Sequence, residues 1–395
     1  MSQNSYNPMS TKRPDSQDFA DIFLNDRPLI DTRAPLEFAK GAFPNAVSLP
    51  LMTDQERAKV GTCYKKHGQD AAIKLGHQLV KGETKQSRVN AWAAFTRKHP
   101  EGFIYCFRGG LRSQISQQWL AESGHPYPRI IGGYKAMRRY LLDHLEATTP
   151  LTPMVILGGR TGCAKTHLLK QLPDQIDLEG LAHHRGSAFG KRLGGQPAQI
   201  GFENAFSINL LKYRHHYRAH VSIPPLVLED ESHLIGRCAL PPVLQQQMQQ
   251  SPLVLLELPL DQRIEHSYHD YILSNLTESQ QALGEEQGFD SFAEGLRKAM
   301  SKLKRRLGDL RYREMLALLE DALSRHLRGE PEAHKQWISP LLVEYYDPMY
   351  DYQLTKKAQR IVYRGGPEEI SELLQNSEQR QQLLHQLKSN HQTKG

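Results

Sequence analysis

The chain has 395 residues, 39% of them hydrophobic and 24% charged, with four cysteines and a formal net charge of +7. That length suits two or three domains with substantial apolar cores, and no run approaches the roughly eighteen apolar residues of a membrane span. An isoelectric point near 9.1 serves solubility, and equally suits a polyanionic partner, because lysine and arginine release counterions from phosphates.

The opening stretch, MSQNSYNPMSTKRPDSQDF, is polar and lacks the apolar core of a signal peptide. Cys63, Cys106, Cys163 and Cys238 are far apart, with no CxxC pair. Neither a zinc site nor a disulfide framework is indicated, and the expected location is the reducing cytoplasm.

Residues 15–145 read as alternating short strands and helices. PLIDTRA ends a buried strand in Asp31 and Arg33, and PLEFAKGAFPNAVSLPL continues as helix, turn and strand. Helical periodicity covers 57–98, and GFIYCF is a further strand. ATTPLTP, at 147–153, is the best linker, which puts a first domain at 1–146. After it, MVILGGRTGCAKTHLLKQL reads as strand, Gly-rich turn and helix. PPLVLEDES and SPLVLLELPL suit buried parallel strands, so a second α/β domain is expected over 147–265. From 266 to 395 the chain is helical and charged, suited to packing on the second domain, and its Gln-rich last twenty residues are expected to fray. There is no internal repeat.

Gly159-Arg160-Thr161-Gly162-Cys163-Ala164-Lys165-Thr166 matches the P-loop pattern G-x-x-x-x-G-K-[ST], except that Ala164 stands at the second glycine. Such a loop turns backbone N–H groups and a helix start toward a di- or triphosphate. Gly159 and Gly162 shape the cradle, Lys165 reaches the outer phosphates, and Thr166 offers its hydroxyl to Mg²⁺. Ala164 is harmless if helical and weakens the loop if it needs positive φ. The strand LVLEDES supplies carboxylates; Asp230 is the expected partner of the Mg²⁺ shell, with Glu229 and Glu231 as alternatives. No protein cluster suggests a resident metal.

The stretch YCFRGGLRSQ places Cys106 between an apolar strand and a helix. Backbone amides at a helix start favour a thiolate, and Arg108 and Arg112 add positive charge. Gly109 and Gly110 let the backbone fold under the sulfur. Cys106 therefore reads as a nucleophile, against the buried inert cysteine that is the usual alternative.

LIDTRAPLEFAKGAFPNAVSLPL, the cysteine loop and GGYKAMRRYL together resemble rhodanese domains, whose loop cysteine carries sulfur or selenium. The spacing C-x₅-R from Cys106 to Arg112 is one residue longer than in sulfurtransferases and resembles the rhodanese-related cell-cycle phosphatases. It implies a larger anion, such as selenophosphate. The fold class is thus α/β: a rhodanese-like parallel-sheet domain, then a P-loop NTPase-like domain with a helical C-terminal region. That pairing resembles the bacterial tRNA 2-selenouridine synthases, as do VGTCYKKHG, GGRTGCAKTHLL, DLEGLAHHRGSAFG, GFENAF, VLEDESHLIG and EYYDPMYDYQL.

This resemblance implies a two-step transferase acting on the wobble 2-thiouridine of tRNA, with lysine, glutamate and glutamine acceptors. S-geranylation from geranyl diphosphate comes first, and selenation from selenophosphate, supplied by a selenophosphate synthase, follows. The P-loop residues would hold the diphosphate, and Cys106 would carry selenium as a selanyl-sulfur adduct. Arg185 is a candidate phosphate or tRNA contact. In LKYRHHYRAH, Lys212 and Arg214 lie among aromatic residues, as RNA stacking and phosphate contact want; Arg305 and Arg306 lie on a basic helical face. YYDPMYDYQL suits packing or base stacking. A monomer without membrane association is expected. Two other readings stay open: an ATP-dependent tRNA sulfurtransferase, and a phosphatase fused to a nucleotide-binding module.

Overall fold

Buried parallel strands organise both units of the computed structural model, which describes residues 13–392. The first unit contains the chain up to Leu145 together with Ser207–His215; the second contains Glu146–Phe206 and the chain from His216 onward.

In the first unit, β1 (Leu29–Asp31), β2 (Ala46–Ser48) and β3 (Phe103–Tyr105) form a parallel sheet in the order β2-β1-β3. β1 and β3 are fully apolar-packed, with Ile30 and Ile104 inaccessible, because helices cover both faces. One face buries Phe23, Leu29, Met137 and Leu141, joined by Ile208 and Leu211. The other buries Ile30, Trp92, Ile104 and Leu120. The helical periodicity over 57–98 appears as helical segments Asp54–Leu79, kinked at Gly68 where φ is 82°, and Gly82–Lys98. The first is opened by Thr53, whose hydroxyl accepts from Glu56 N–H while Glu56 reaches back to Thr53 N–H.

In the second unit, β4 (Met154–Gly158) lies centrally, β5 (Leu226–Glu229) on one side, and β8 (Leu253–Leu256) then β9 (Ile361–Gly365) on the other. All pairings are parallel. A short antiparallel pair, β6 (Leu234–Ile235) and β7 (Cys238–Ala239), lies apart from this sheet. β9 comes from the region expected to be helical throughout, so the chain beyond 265 supplies an edge strand to the P-loop sheet as well as helices. The remainder of that region packs around Met300, Leu319, Ala322 and Trp337.

The linker stretch is ordered: the helix Gly133–Thr148 runs into a 3₁₀ turn, Thr149–Leu151, with Thr149 and Thr152 buried. The expectation of a frayed C-terminus is corrected. Ser377–Gln392 is a helix that buries Leu383 and Leu387, and Arg380 bonds Asp174 in the interior. Glutamine is a good helix former, and two leucines at i, i+4 provide the burying stripe. The polar opening stretch lies mostly outside the described residues.

His334 is fully buried, and its Nδ1 accepts from Trp337 Nε1 at 3.0 Å, with His326 Nδ1 3.2 Å from its Nε2. Burial, reinforced by His326, pushes its imidazole down to about 3. Between that value and the unfolded value of about 6.5 the unfolded chain binds more protons, so stability falls as pH drops through this window, by up to about 1.4 kcal/mol per pH unit. Thermal melts should show a smaller loss between pH 7 and pH 5 for His334→Gln than for the wild type.

Candidate active sites at two strand ends

Both candidate sites sit where a buried parallel strand hands over to a helix, the place at which α/β sheets bind ligands. In the first unit, Cys106 follows β3 and the helix Leu111–Glu122 begins after Gly110. The loop is held by the backbone of the GGYK turn: Tyr134 N–H donates to Cys106 O and Lys135 N–H to Phe107 O, each at 2.9 Å. Gly133, at φ 58°, approaches so closely that a Cβ would lie 2.3 Å from Cys106 O and 2.4 Å from Gly109 N. Only glycine fits there. Arg129 Nη1 adds a 3.0 Å bond to Gly109 O.

The Cys106 sulfur is buried, 3.2 Å from Ser113 Oγ. Arg108 is exposed beside it. Arg112, expected to hold an incoming anion, is forked onto Glu37 at 2.6 and 3.3 Å. Burial pushes the Glu37 carboxyl up, but Arg112, Ala34 N–H and Arg57 more than offset this and hold it below its usual range. Glu37 thus positions Arg112, a role with no local sequence signal because 75 residues separate the two. Underneath, Asp31 accepts from Arg33 and from Tyr105 Oη at 2.8 Å, and the Arg33 guanidinium lies 3.8 Å from the centre of the Tyr134 ring. Next to the loop is a cavity of about 920 Å³ whose wall includes Arg108, Leu111, Arg112 and Trp119.

In the second unit the P-loop follows β4 and opens the helix Lys165–Leu169. Gly162 has φ 82° and packs under Arg263 O, which a Cβ would meet at 2.5 Å. Ala164 takes the left-handed conformation, φ 59° and ψ 31°. The position needs positive φ, and the alanine is strained.

Lys165 Nζ donates to Gly159 O at 2.7 Å, curling over the loop. Burial acts to lower its pKa, yet the net shift is upward because Cys163, Tyr350, Glu179 and Glu231 surround it with negative character. Thr166 Oγ1 donates to Glu179 Oε2 at 3.0 Å. Asp230 is not at the hydroxyl: Lys357 Nζ holds both its oxygens at 2.7 and 2.8 Å. The carboxylates facing Lys165 and Thr166 are Glu179 and Glu231, both pushed up chiefly by burial; Glu231 is raised further by Glu179, whereas Lys165 counteracts the rise at both. Glu229 is buried behind them, with Leu178 N–H donating to its Oε2 at 2.9 Å. Among the described residues no group of three or more His, Cys, Asp or Glu side chains could hold a metal ion.

YYDPMYDYQL proves to be a strap for this loop. Gly159 N–H donates to Tyr350 Oη at 2.5 Å, Asp351 pairs with Arg160 at 2.7 Å, and Asp347 pairs with the buried Arg263, whose Nε donates to Thr161 O at 3.0 Å. The tyrosines marked that segment in the sequence, but its two bridging aspartates carried no signal.

The P-loop faces a cavity of about 630 Å³, and Arg185 and Arg306 also reach its wall. Arg185 donates to Asn275 Oδ1 at 2.6 Å and Arg306 to Tyr345 Oη at 2.8 Å. Of the paired histidines, His183 is structural, its Nδ1 2.7 Å from Gly195 O, whereas His184 borders the cavity. Lys212 and Arg214 belong to the first unit, Lys212 paired with Asp26, and Arg305 is exposed on the helix Glu285–Leu307. The expected RNA-contacting cations are therefore distributed over both units.

Relief of the strain at Ala164 is testable. Ala164→Gly should stabilise the P-loop unit by about 0.5–1 kcal/mol, the left-handed cost less the entropy of glycine, read as a higher denaturation midpoint.

The family model described as the AAA domain of tRNA 2-selenouridine synthase matches residues 152–381. Over 363 residues the chain is 55% identical to the tRNA 2-selenouridine synthase of Hahella chejuensis, covering 92% of this chain and 95% of the relative. The corresponding protein of Pseudomonas fluorescens is 54% identical, with 91% and 97% covered. That of Bordetella bronchiseptica is 53% identical, with 92% and 98% covered. Among the described residues no helix is long and apolar enough to cross a membrane. A family model spanning more than half of the chain, and relatives matched almost end to end, mean that this chain belongs to the tRNA 2-selenouridine synthases and is a tRNA-modifying transferase.

Proposed function

We propose that the chain converts the wobble 2-thiouridine of lysine, glutamate and glutamine tRNAs to 2-selenouridine in two steps, one at each strand-end loop. The observation that carries this is the P-loop built without a nucleotide triphosphatase's usual glycine, yet presenting Lys165 and Thr166 to a cavity. Geranyl diphosphate suits that cradle. Lys165 would leave Gly159 O for the diphosphate, and backbone N–H groups at the helix start would take the remaining charge. The thiouridine sulfur attacks the allylic carbon, the C–O bond breaks, and its electron pair leaves on diphosphate, where Lys165 stabilises it.

The residues also fit Mg²⁺. It binds through one or two carboxylates with phosphate and water, and Thr166, Glu179 and Glu231 offer hard oxygens together. Those three would hold it, in place of the expected Thr166 and Asp230, and the ion would neutralise charge on the leaving diphosphate.

S-alkylation turns C2 of the base into an electrophile and makes geranylthiol a feasible leaving group. Selenophosphate, which a selenophosphate synthase would provide, would sit at the Cys106 loop between Arg108 and Arg112 and attack C2 through its selenium. The C2–S bond breaks, and geranylthiol leaves with that electron pair and a proton from Cys106. Water then cleaves the Se–P bond to release orthophosphate. Glu37 would release Arg112 toward the anion or hold it in register. The exposed Arg305 and the half-buried Lys212, with Arg185 and Arg306 at the cavity, would contact tRNA phosphates. We infer from the family's tRNA substrate that the chain works in the cytoplasm, and as a monomer.

Mass spectrometry of a 2-thiouridine anticodon stem-loop incubated with geranyl diphosphate, then selenophosphate, tests the order of steps. Lys165→Ala should abolish the geranyl mass gain, and its persistence would remove the P-loop from the first step. Cys106→Ala should geranylate normally and fail to exchange sulfur for selenium.

A further inference from the structure

The second unit contains another cavity, of about 560 Å³, whose wall, like that of the cavity the P-loop faces, includes Tyr350. The two share Gly159, Cys163 and Tyr350 in their walls and so are direct neighbours. Its walls come from the end of β8 and the segment after it (Leu255, Leu256, Leu258) and from Leu354, Ala358 and Ile361. The volume is that of a small-molecule site.

Its charged lining residues are paired with one another or with a neighbour. Arg160 bonds Asp351 at 2.7 Å, Arg364 bonds Glu257 at 2.9 Å, and Arg263 bonds Asp347 at 2.5 Å. These pairs satisfy the cations and carboxylates at the rim and leave the leucines, Ala358 and Ile361 as the surface a ligand would meet. Polar edges such as those of a nucleobase would lose water there without gaining partners, whereas a hydrocarbon chain gains by burial. A phosphate cradle joined through Gly159 to an apolar chamber is complementary to a molecule with an anionic head and an apolar tail.

We propose that this chamber receives the isoprenoid tail of an allylic diphosphate whose head lies on the P-loop, with Tyr350 at the seam between them. This rests on the reading of the P-loop as the diphosphate site. The chamber, rather than the cradle, then selects the prenyl donor and discriminates against nucleoside triphosphates.

Calorimetric titration of the full chain with inorganic diphosphate, geranyl diphosphate and ATP, for the wild type, Leu354→Asp and Ala358→Trp, tests it. The wild type should bind geranyl diphosphate about 100-fold more tightly than inorganic diphosphate, from the apolar area buried. Each variant should lose at least about tenfold of that advantage while binding inorganic diphosphate as before. The first substitution puts a charge into the chamber and the second fills it, so if one variant does not fold the other still decides. Unchanged geranyl diphosphate affinity in a folded variant would place the tail elsewhere and overturn the proposal, leaving the diphosphate reading intact. Absence of binding of both geranyl diphosphate and inorganic diphosphate to the wild type would overturn the P-loop reading and this one with it. Loss of ATP affinity in the variants, without loss of geranyl diphosphate affinity, would make the chamber a nucleobase site.

Discussion

The ammonium of Lys165, enclosed by the P-loop and facing two glutamates, is the constraint around which the second unit is arranged. A buried charge is tolerable only when it is paired and hydrogen-bonded. Here Gly159 O accepts from it while Glu179 and Glu231 face it. Those carboxyls are themselves buried and pushed up, so the pocket holds more potential negative charge than one lysine neutralises. Such a site is poised to take further cationic charge along with an anionic ligand.

The loop keeps its form because distant residues clamp it. Arg263, Tyr350 and Asp351 reach Thr161, Gly159 and Arg160, and Asp347 holds Arg263. These contacts make the last third of the chain part of the P-loop's frame, both through this strap and through β9 at the sheet edge. The cysteine loop of the first unit achieves the same end with backbone contacts from the GGYK turn and with Glu37 on Arg112. In both units, a loop at a strand end supplies the candidate functional side chain and a segment remote in sequence sets its geometry.

This division explains two of the places where expectation and structure part. Asp230 lies at the end of an acidic strand, as a magnesium partner should, but Lys357 captures it. Thr166 meets Glu179 instead, from the helix Leu178–Ala182. No local pattern distinguishes Asp230 from its neighbours, because the deciding cation is 127 residues away. The Gln-rich C-terminus looked too polar to order, yet burying Leu383, Leu387 and the Asp174–Arg380 pair suffices to dock it.

The amino-acid sequence by itself determined the alternating strand and helix pattern of both units, the two strand-end loops with Cys106 and Lys165, and the family. Each of these is written in short-range periodicity and in residues adjacent along the chain. Tertiary structure alone decided that Ala164 is strained, that Glu179 and Glu231 rather than Asp230 face Thr166, and that Tyr350 lines two cavities. It also decided that Ile361–Gly365 is a strand of the P-loop sheet. Each of these depends on which side chains meet between separate elements, from 13 residues apart for Thr166 and Glu179 to 191 for Gly159 and Tyr350, or on a backbone angle imposed by packing, and local spacing does not encode either.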